Sequence, residues 1–155
     1  MKKTILQPPA ARAIVPELAH ARHPDIWVYR YHEEARGWTL SIATHAEPGS
    51  RKLSLGGFRI APESRVRSPG FTTDHEAIGL AMGMEEKVHW SRVIKVGGPL
   101  TLRNIKRICG GKCVLQPTAG TRVGEPGDAA LLNWAVDCFK DVEAVGGFYL
   151  TTGQD

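Results

Sequence analysis

Apolar and polar residues alternate over residues 26–34, IWVYRYHEE, and again over 38–46, WTLSIATHA, with Ala35-Arg36-Gly37 between the two runs. A period of two on both sides of a turn signal predicts a β-hairpin. A third strand is expected over roughly 52–60, ending at Pro62; Gly56-Gly57 in its middle weakens it but lets another group approach the backbone closely. The period then changes. Ala77, Leu80, Ala81, Met84 and Val88 recur at three- and four-residue intervals, the spacing of one helix face. Thr73 and Glu76 have capping-box spacing, so this helix is expected to start near residue 74. Lys87 lies one turn beyond Met84, at the edge of the apolar face, where a lysine ordinarily lays its stem on apolar surface and keeps its charge in water.

After a Gly97-Gly98-Pro99 break, Gly110-Gly111 precedes Lys112 and the apolar run Cys113-Val114-Leu115, which reads as a loop entering a buried strand that Pro117 stops. In the second helix Asp128 follows Pro126-Gly127 as a cap, and Leu132, Ala135, Val136, Phe139 and Val142 form one stripe. Asn133, Asp137, Lys140 and Asp141 are expected to face water. Gly146-Gly147 suits a helix C-terminus, and residues 148–152 read as a final strand. Residues 1–25, with Pro8, Pro9, Pro16 and Pro24, have room for at most a short helix and read as an N-terminal arm before one domain over 26–155. This order predicts a single α/β domain, a mixed central sheet flanked by helices, whose later strands pair in parallel through helical crossovers.

Composition narrows the function classes. At 155 residues the chain can bury a core without disulfides or metal, and no metal site is expected. No apolar run reaches membrane-spanning length, and Pro8-Pro9 cuts off the apolar residues that follow Lys2-Lys3, so neither a membrane span nor a signal peptide is expected. Three cysteines, Cys109, Cys113 and Cys138, without a CxxC pair read as free thiols in a reducing compartment, by default the cytoplasm. A net charge of +4, from 20 basic and 16 acidic residues, is too dilute to indicate nucleic acid. The basic cluster Arg103, Lys106, Arg107 and Lys112 has no interleaved aromatics for base stacking and suits a small anion or carboxylate better.

Four landmarks, LGGFRIAP at 55–62, GMEEK closing a helix at 83–87, GGKCVL at 110–115, and the helix-to-strand segment from Glu125 to Asp155, resemble in order the N-terminal substrate-binding domain of the glutamate/leucine/phenylalanine/valine dehydrogenase family. The final FYLTTGQD is most similar to the tryptophan dehydrogenase branch. The resemblance implies that Gly56 and Gly57 offer backbone to a bound amino acid, that Met84 lines its pocket and that Lys87 binds its α-carboxylate. It further implies that Lys112 activates water or a carbinolamine and that Asp155 transfers protons, in a homodimer. The physical logic agrees: a carboxylate needs a fixed cation, and imine chemistry needs a group that exchanges protons near neutral pH.

Two features depart from that family. No GxGxxG follows any strand, so no nucleotide cofactor is expected to bind. Lys87 and Lys112 also stand 25 positions apart, a wider interval than the family's, with a lengthened segment between them that can act as a lid or an oligomer contact. Three readings follow. The chain is a stand-alone enzyme of cofactor-free imine chemistry, such as a Pictet–Spengler-type condensation of a tryptophan-like amino acid with a carbonyl compound. Alternatively it is the catalytic half of a nicotinamide-dependent amino-acid dehydrogenase, or a dimerisation module without catalysis.

Overall fold

Strand β1 (Lys2–Leu6) lies antiparallel to β2 (Trp27–Glu33), which forms the expected hairpin with β3 (Trp38–Thr44), Trp27 opposite Thr44 and Glu33 opposite Trp38. Gly37 turns the chain between them with a φ of 67°, a conformation that a side chain would strain. The computed structural model describes residues 1–50, 52–61, 71–94, 108–121, 124, 127–144 and 148–150, with residue 144 and residues 148–150 described by backbone alone. Among these, residues 1–25, expected as an arm, supply β1, the short helix α1 (Pro8–Ile14) and a 3-10 turn (Pro16–His20). Ala11 and Leu18 are fully buried, so this segment is woven into the sheet and core.

The expected third strand forms as two halves, β4 (Leu53–Leu55) and β5 (Phe58–Ile60), end to end along one edge of β6 (Ile108–Gln116). Both run parallel to β6, and β3 flanks its other edge antiparallel. β7 (Phe148–Leu150) pairs in parallel with β4. The result is the single α/β domain with a mixed sheet that the pattern predicts, in the order β1-β2-β3-β6-β4-β7 with β5 also on β6.

Helices cover both faces. On one, α1 and α2 (Thr73–Ile94) pack Ala11, Ala77, Ile78 and Ala81 on Val28, Ala43 and Val114. On the other, α3 (Asp128–Ala144) packs Leu131, Ala135, Cys138 and Val142 on Tyr29, Tyr31, Ile42 and Leu115. Each large side chain fully removed from water here contributes about 1.5–3 kcal/mol of transfer free energy. Alternation along β5 sorts its residues: Phe58 and Ile60 join the α3 face, while Ala61 joins the α2 face.

Four local expectations need correction. First, α2 starts where predicted but not by a Thr73–Glu76 box. Thr72 N–H donates to His75 Nδ1 at 3.1 Å, Thr73 Oγ1 lies 2.7 Å from Ser41 Oγ, and Glu76 pairs with Arg59 at 2.9 Å. Second, the helix does not close at 83–87 but runs to Ile94. Third, Gly110 and Gly111 are not a loop; they sit inside β6. Fourth, the buried stripe of α3 is Leu131, Ala135, Cys138 and Val142, while Leu132 and Val136 are exposed. Asp141 does meet water, as expected, its side chain 37% exposed, and it also accepts from Tyr31 Oη at 2.7 Å and pairs with Lys3 at 2.6 Å. Pro62, the 97–99 break, Gly146-Gly147 and the last residues of the predicted final strand lie outside the described residues.

The start of α2 is fastened to the sheet by a polar cluster. Asp74, 1% exposed, accepts from Arg30 Nε at 2.8 Å, from a second Arg30 N–H and from Ser41 Oγ at 2.6 Å. A carboxylate in the first turn also meets the positive end of the helix dipole.

Candidate functional site

The register of β6 gathers several of the residues singled out in the sequence. Leu55 stands opposite Gly110 and Phe58 opposite Cys113, so Gly56 and Gly57 fall level with Gly111 and Lys112. Lys112 is half-buried and pairs across the other edge with Ala43, whose side chain belongs to the α2 face; alternation puts Lys112 and Gly57 on that face too. The Gly57 carbonyl accepts from Cys113 N–H at 3.2 Å. Beside Lys112 the chain therefore carries no side chain at the buried residue 57.

Helix α2 runs antiparallel to β6 over this point, from Thr73 and Asp74 above Ser41 to Glu85 above Gly110 and Arg92, which donates to the Ile108 carbonyl. Its Glu76–Arg59 ion pair fixes which flank faces β4 and β5. Residues 80, 83 and 87 continue that stripe at i+4, i+7 and i+11. Eleven residues of helix advance about 16 Å, the length of roughly five strand residues, which brings Lys87 from the level of Arg59 to about that of Ser54 to Gly56. Lys87 is exposed there, and Met84, one turn earlier, is 7% exposed. The register thus sets Gly56 and Gly57 level with Gly111 and Lys112, with Gly57 and Lys112 on the α2 face; Met84, whose backbone lies over Gly110, is buried, and Lys87, one turn further along α2, is exposed. Asp155 lies outside the described residues.

The opposite flank holds a group that the sequence reading did not pick out. Glu85, 6% exposed, accepts from Gly110 N–H and has His45 Nδ1 at 3.8 Å and His23 Nε2 at 3.9 Å. Both His45 ring nitrogens face carbonyl oxygens, Gly110 O and His23 O, each at 2.9 Å. A carbonyl only accepts, so the ring nitrogen that carries the N–H donates to the carbonyl it faces, which fixes the ring between the two strands of backbone beside Glu85. These residues line a cavity of about 460 Å³ with Lys52, Glu47 and Cys109. One histidine at a strand end and one glutamate in a Glu-Glu pair carry no periodic or motif signal. Only the crossing of α2 over β6 brings them together.

All three cysteines are free and buried, as their number and spacing suggest. Burial first, then the Glu85 charge, pushes the Cys109 thiol up to about 11, and burial with Asp141 pushes Cys138 up to about 12. Neither is a ready nucleophile, because the thiolate is the reactive form. Among the described residues no group of three or more His, Cys, Asp or Glu side chains is placed to hold a metal ion. Nor does any described helix have the length and apolarity to cross a membrane.

No family model matches this chain, and no curated protein matches it.

Proposed function

We propose that this domain is a cofactor-free enzyme built on an amino-acid-dehydrogenase-like scaffold, binding an aromatic amino acid on the β4–β5 flank of α2 and condensing it with a carbonyl compound. The observation that supports the reading is the register bringing Gly56-Gly57 level with a half-buried Lys112 on the sheet face that α2 covers. A half-buried lysine beside a side-chain-free stretch of strand offers a cation for a carboxylate and a proton carrier in one place.

In the reaction the amino nitrogen adds to the carbonyl carbon, water leaves the carbinolamine, and the resulting iminium carbon takes the electrons of an aromatic ring carbon. The ring proton then passes to a base. Lys112 carries protons at the dehydration step, and Asp155 takes the ring proton. Three buried free thiols fit a reducing compartment such as the cytoplasm.

Incubation of the protein with L-tryptophan and acetaldehyde, read by product mass, tests this. The expected product has the combined mass of the two reactants less one water, with nicotinamide absorbance unchanged. Turnover that starts only on addition of NAD overturns the reading.

A further inference from the structure

The sheet ends at β1, and among the described residues only β2 pairs with it. Its other edge is a row of backbone N–H and C=O groups without a strand partner, the template on which a further strand adds. Proteins guard such edges with charge, lysine above all. On the α3 face of β1 that guard is weak. Lys3, opposite Tyr31, commits its ammonium to Asp141 at 2.6 Å and holds it 6.0 Å from the centroid of the Tyr31 ring. Ile5, next on that face and opposite Tyr29, is 41% exposed, so the apolar row running out from Tyr29 ends uncovered at the sheet edge.

A second copy of the same strand suits this edge. Laid antiparallel across a two-fold axis at Thr4, it sets Thr4 against its own copy, Lys3 against Ile5 and Lys2 against Leu6. No lysine then meets a lysine. On the α3 face each exposed Ile5 falls on the aliphatic stem of a lysine whose charge Asp141 already holds. On the other face the two Lys2 residues stand roughly 14 Å apart along the strands, beyond the Debye length of about 8 Å at physiological salt. Two threonines directly opposite each other are a favourable cross-strand pair. This self-complementary register favours a second copy over an unrelated segment. We propose that β1 pairs with β1 of a second copy, antiparallel about Thr4, joining the two sheets across a two-fold axis. The edge lies at the opposite end of the strand order from β4 and β7, so the proposal stands apart from the chemistry assigned to Lys112.

Thr4→Cys tests the register. Opposed antiparallel residues hold their Cα atoms about 4.5–5.5 Å apart, within the disulfide range of about 4.4–6.8 Å, so this variant should close an intermolecular disulfide under oxidised glutathione. The native thiols are all buried, so the parent should stay uncross-linked. Lys2→Cys controls for chance encounters: the position is more exposed than Thr4 but about 14 Å from its own copy in this register, and it should cross-link at least about tenfold more slowly. Sedimentation velocity from micromolar to millimolar concentration should show the parent dimerising reversibly. Ile5→Lys restores a guarding charge outside the core and should raise the dissociation constant at least about tenfold at unchanged Tm. A chain still monomeric at millimolar concentration, a Lys2→Cys that cross-links as fast as Thr4→Cys, or an Ile5→Lys that dimerises like the parent would each overturn the proposal.

Discussion

Gly110 and Glu85 hold each other at two levels: the glycine N–H donates to the glutamate carboxylate, and a Cβ built on Gly110 would stand 2.2 Å from the Glu85 backbone nitrogen. Helix α2 is seated on β6 as closely as two backbones allow. Met84 C and Glu85 Cα also lie within 2.6 Å and 2.5 Å of that absent Cβ, so no side-chain adjustment relieves the clash. Gly110→Ala should therefore destabilise the domain by about 3 kcal/mol or more, at or beyond the upper end of ordinary overpacking. Urea unfolding measures it; a loss under 1 kcal/mol would show that the helix is free to lift.

Removing the cation from the polar cluster at the start of α2 should also be expensive. Arg30→Ala leaves the buried Asp74 carboxylate with Ser41 Oγ but without its guanidinium. Since Arg30 itself is 38% exposed and water reaches it, the expected cost is about 2–4 kcal/mol, less than for a fully buried pair. Arg30→Lys should recover only part, because one ammonium cannot reproduce two guanidinium N–H contacts. Full recovery by lysine would reduce the contact to plain charge pairing.

Stability should fall on the alkaline side. Cys109 and Cys138 ionise in the unfolded chain near 9.0 and, when folded, only near about 11 and about 12. Burial, with the hydrogen bond to Asp141, likewise holds the Tyr31 phenol above its ordinary 10.0. Above pH 9 the unfolded state thus loses protons that the native state keeps, so the contribution present below pH 9 is progressively lost as pH rises toward 11 and 12. Tm should be level between pH 7 and 8.5 and decline beyond 9, and replacing both cysteines by alanine should flatten the first part of that decline. A Tm unchanged up to pH 10.5 contradicts the assigned thiol environments.

Lys112 and Lys87 should not be equivalent for ligand binding. Lys112 is half-buried under α2 and Lys87 exposed at the rim. Lys112→Ala should weaken an aromatic amino acid by about 2–3 kcal/mol, whereas Lys87→Ala should cost under about 1 kcal/mol, the range of solvent-screened ion pairs. Calorimetry of the two variants decides it, and the reverse order would move the carboxylate to Lys87.

The hairpin and the parallel pairing of the later strands were legible because a period of two and the turn residues around Gly37 act locally. The length of α2 was not. Its buried positions stop at Val88, and the exposed Trp90, Val93 and Ile94 that follow carry no stripe to extend the pattern. Gly110-Gly111 misled for a different reason: glycine serves turns and close approaches alike, and only the helix lying above tells them apart. In α3 the stripe is displaced because Leu132 and Val136 look like core residues while Cys138 and Leu131 fill the core. The site was legible in part. Gly56-Gly57 and Lys112 drew notice as local motifs, but their shared level follows from strand register, and Glu85 with His45 from a helix crossing, neither of which is written in a short window of sequence.

The pairing of β4 between β6 and β7 bears on how the chain comes off the ribosome. Leu53–Leu55 leaves the exit tunnel early, yet its partners Ile108–Gly110 and Phe148–Leu150 follow much later. Through most of synthesis the β1–β3 meander can form by itself, while the β4 segment has neither neighbour. It then waits as an unpaired edge, open to other chains. The outer edge of β4 is covered only when β7 arrives, and its vulnerable interval is set by translation speed across residues 56 to 148.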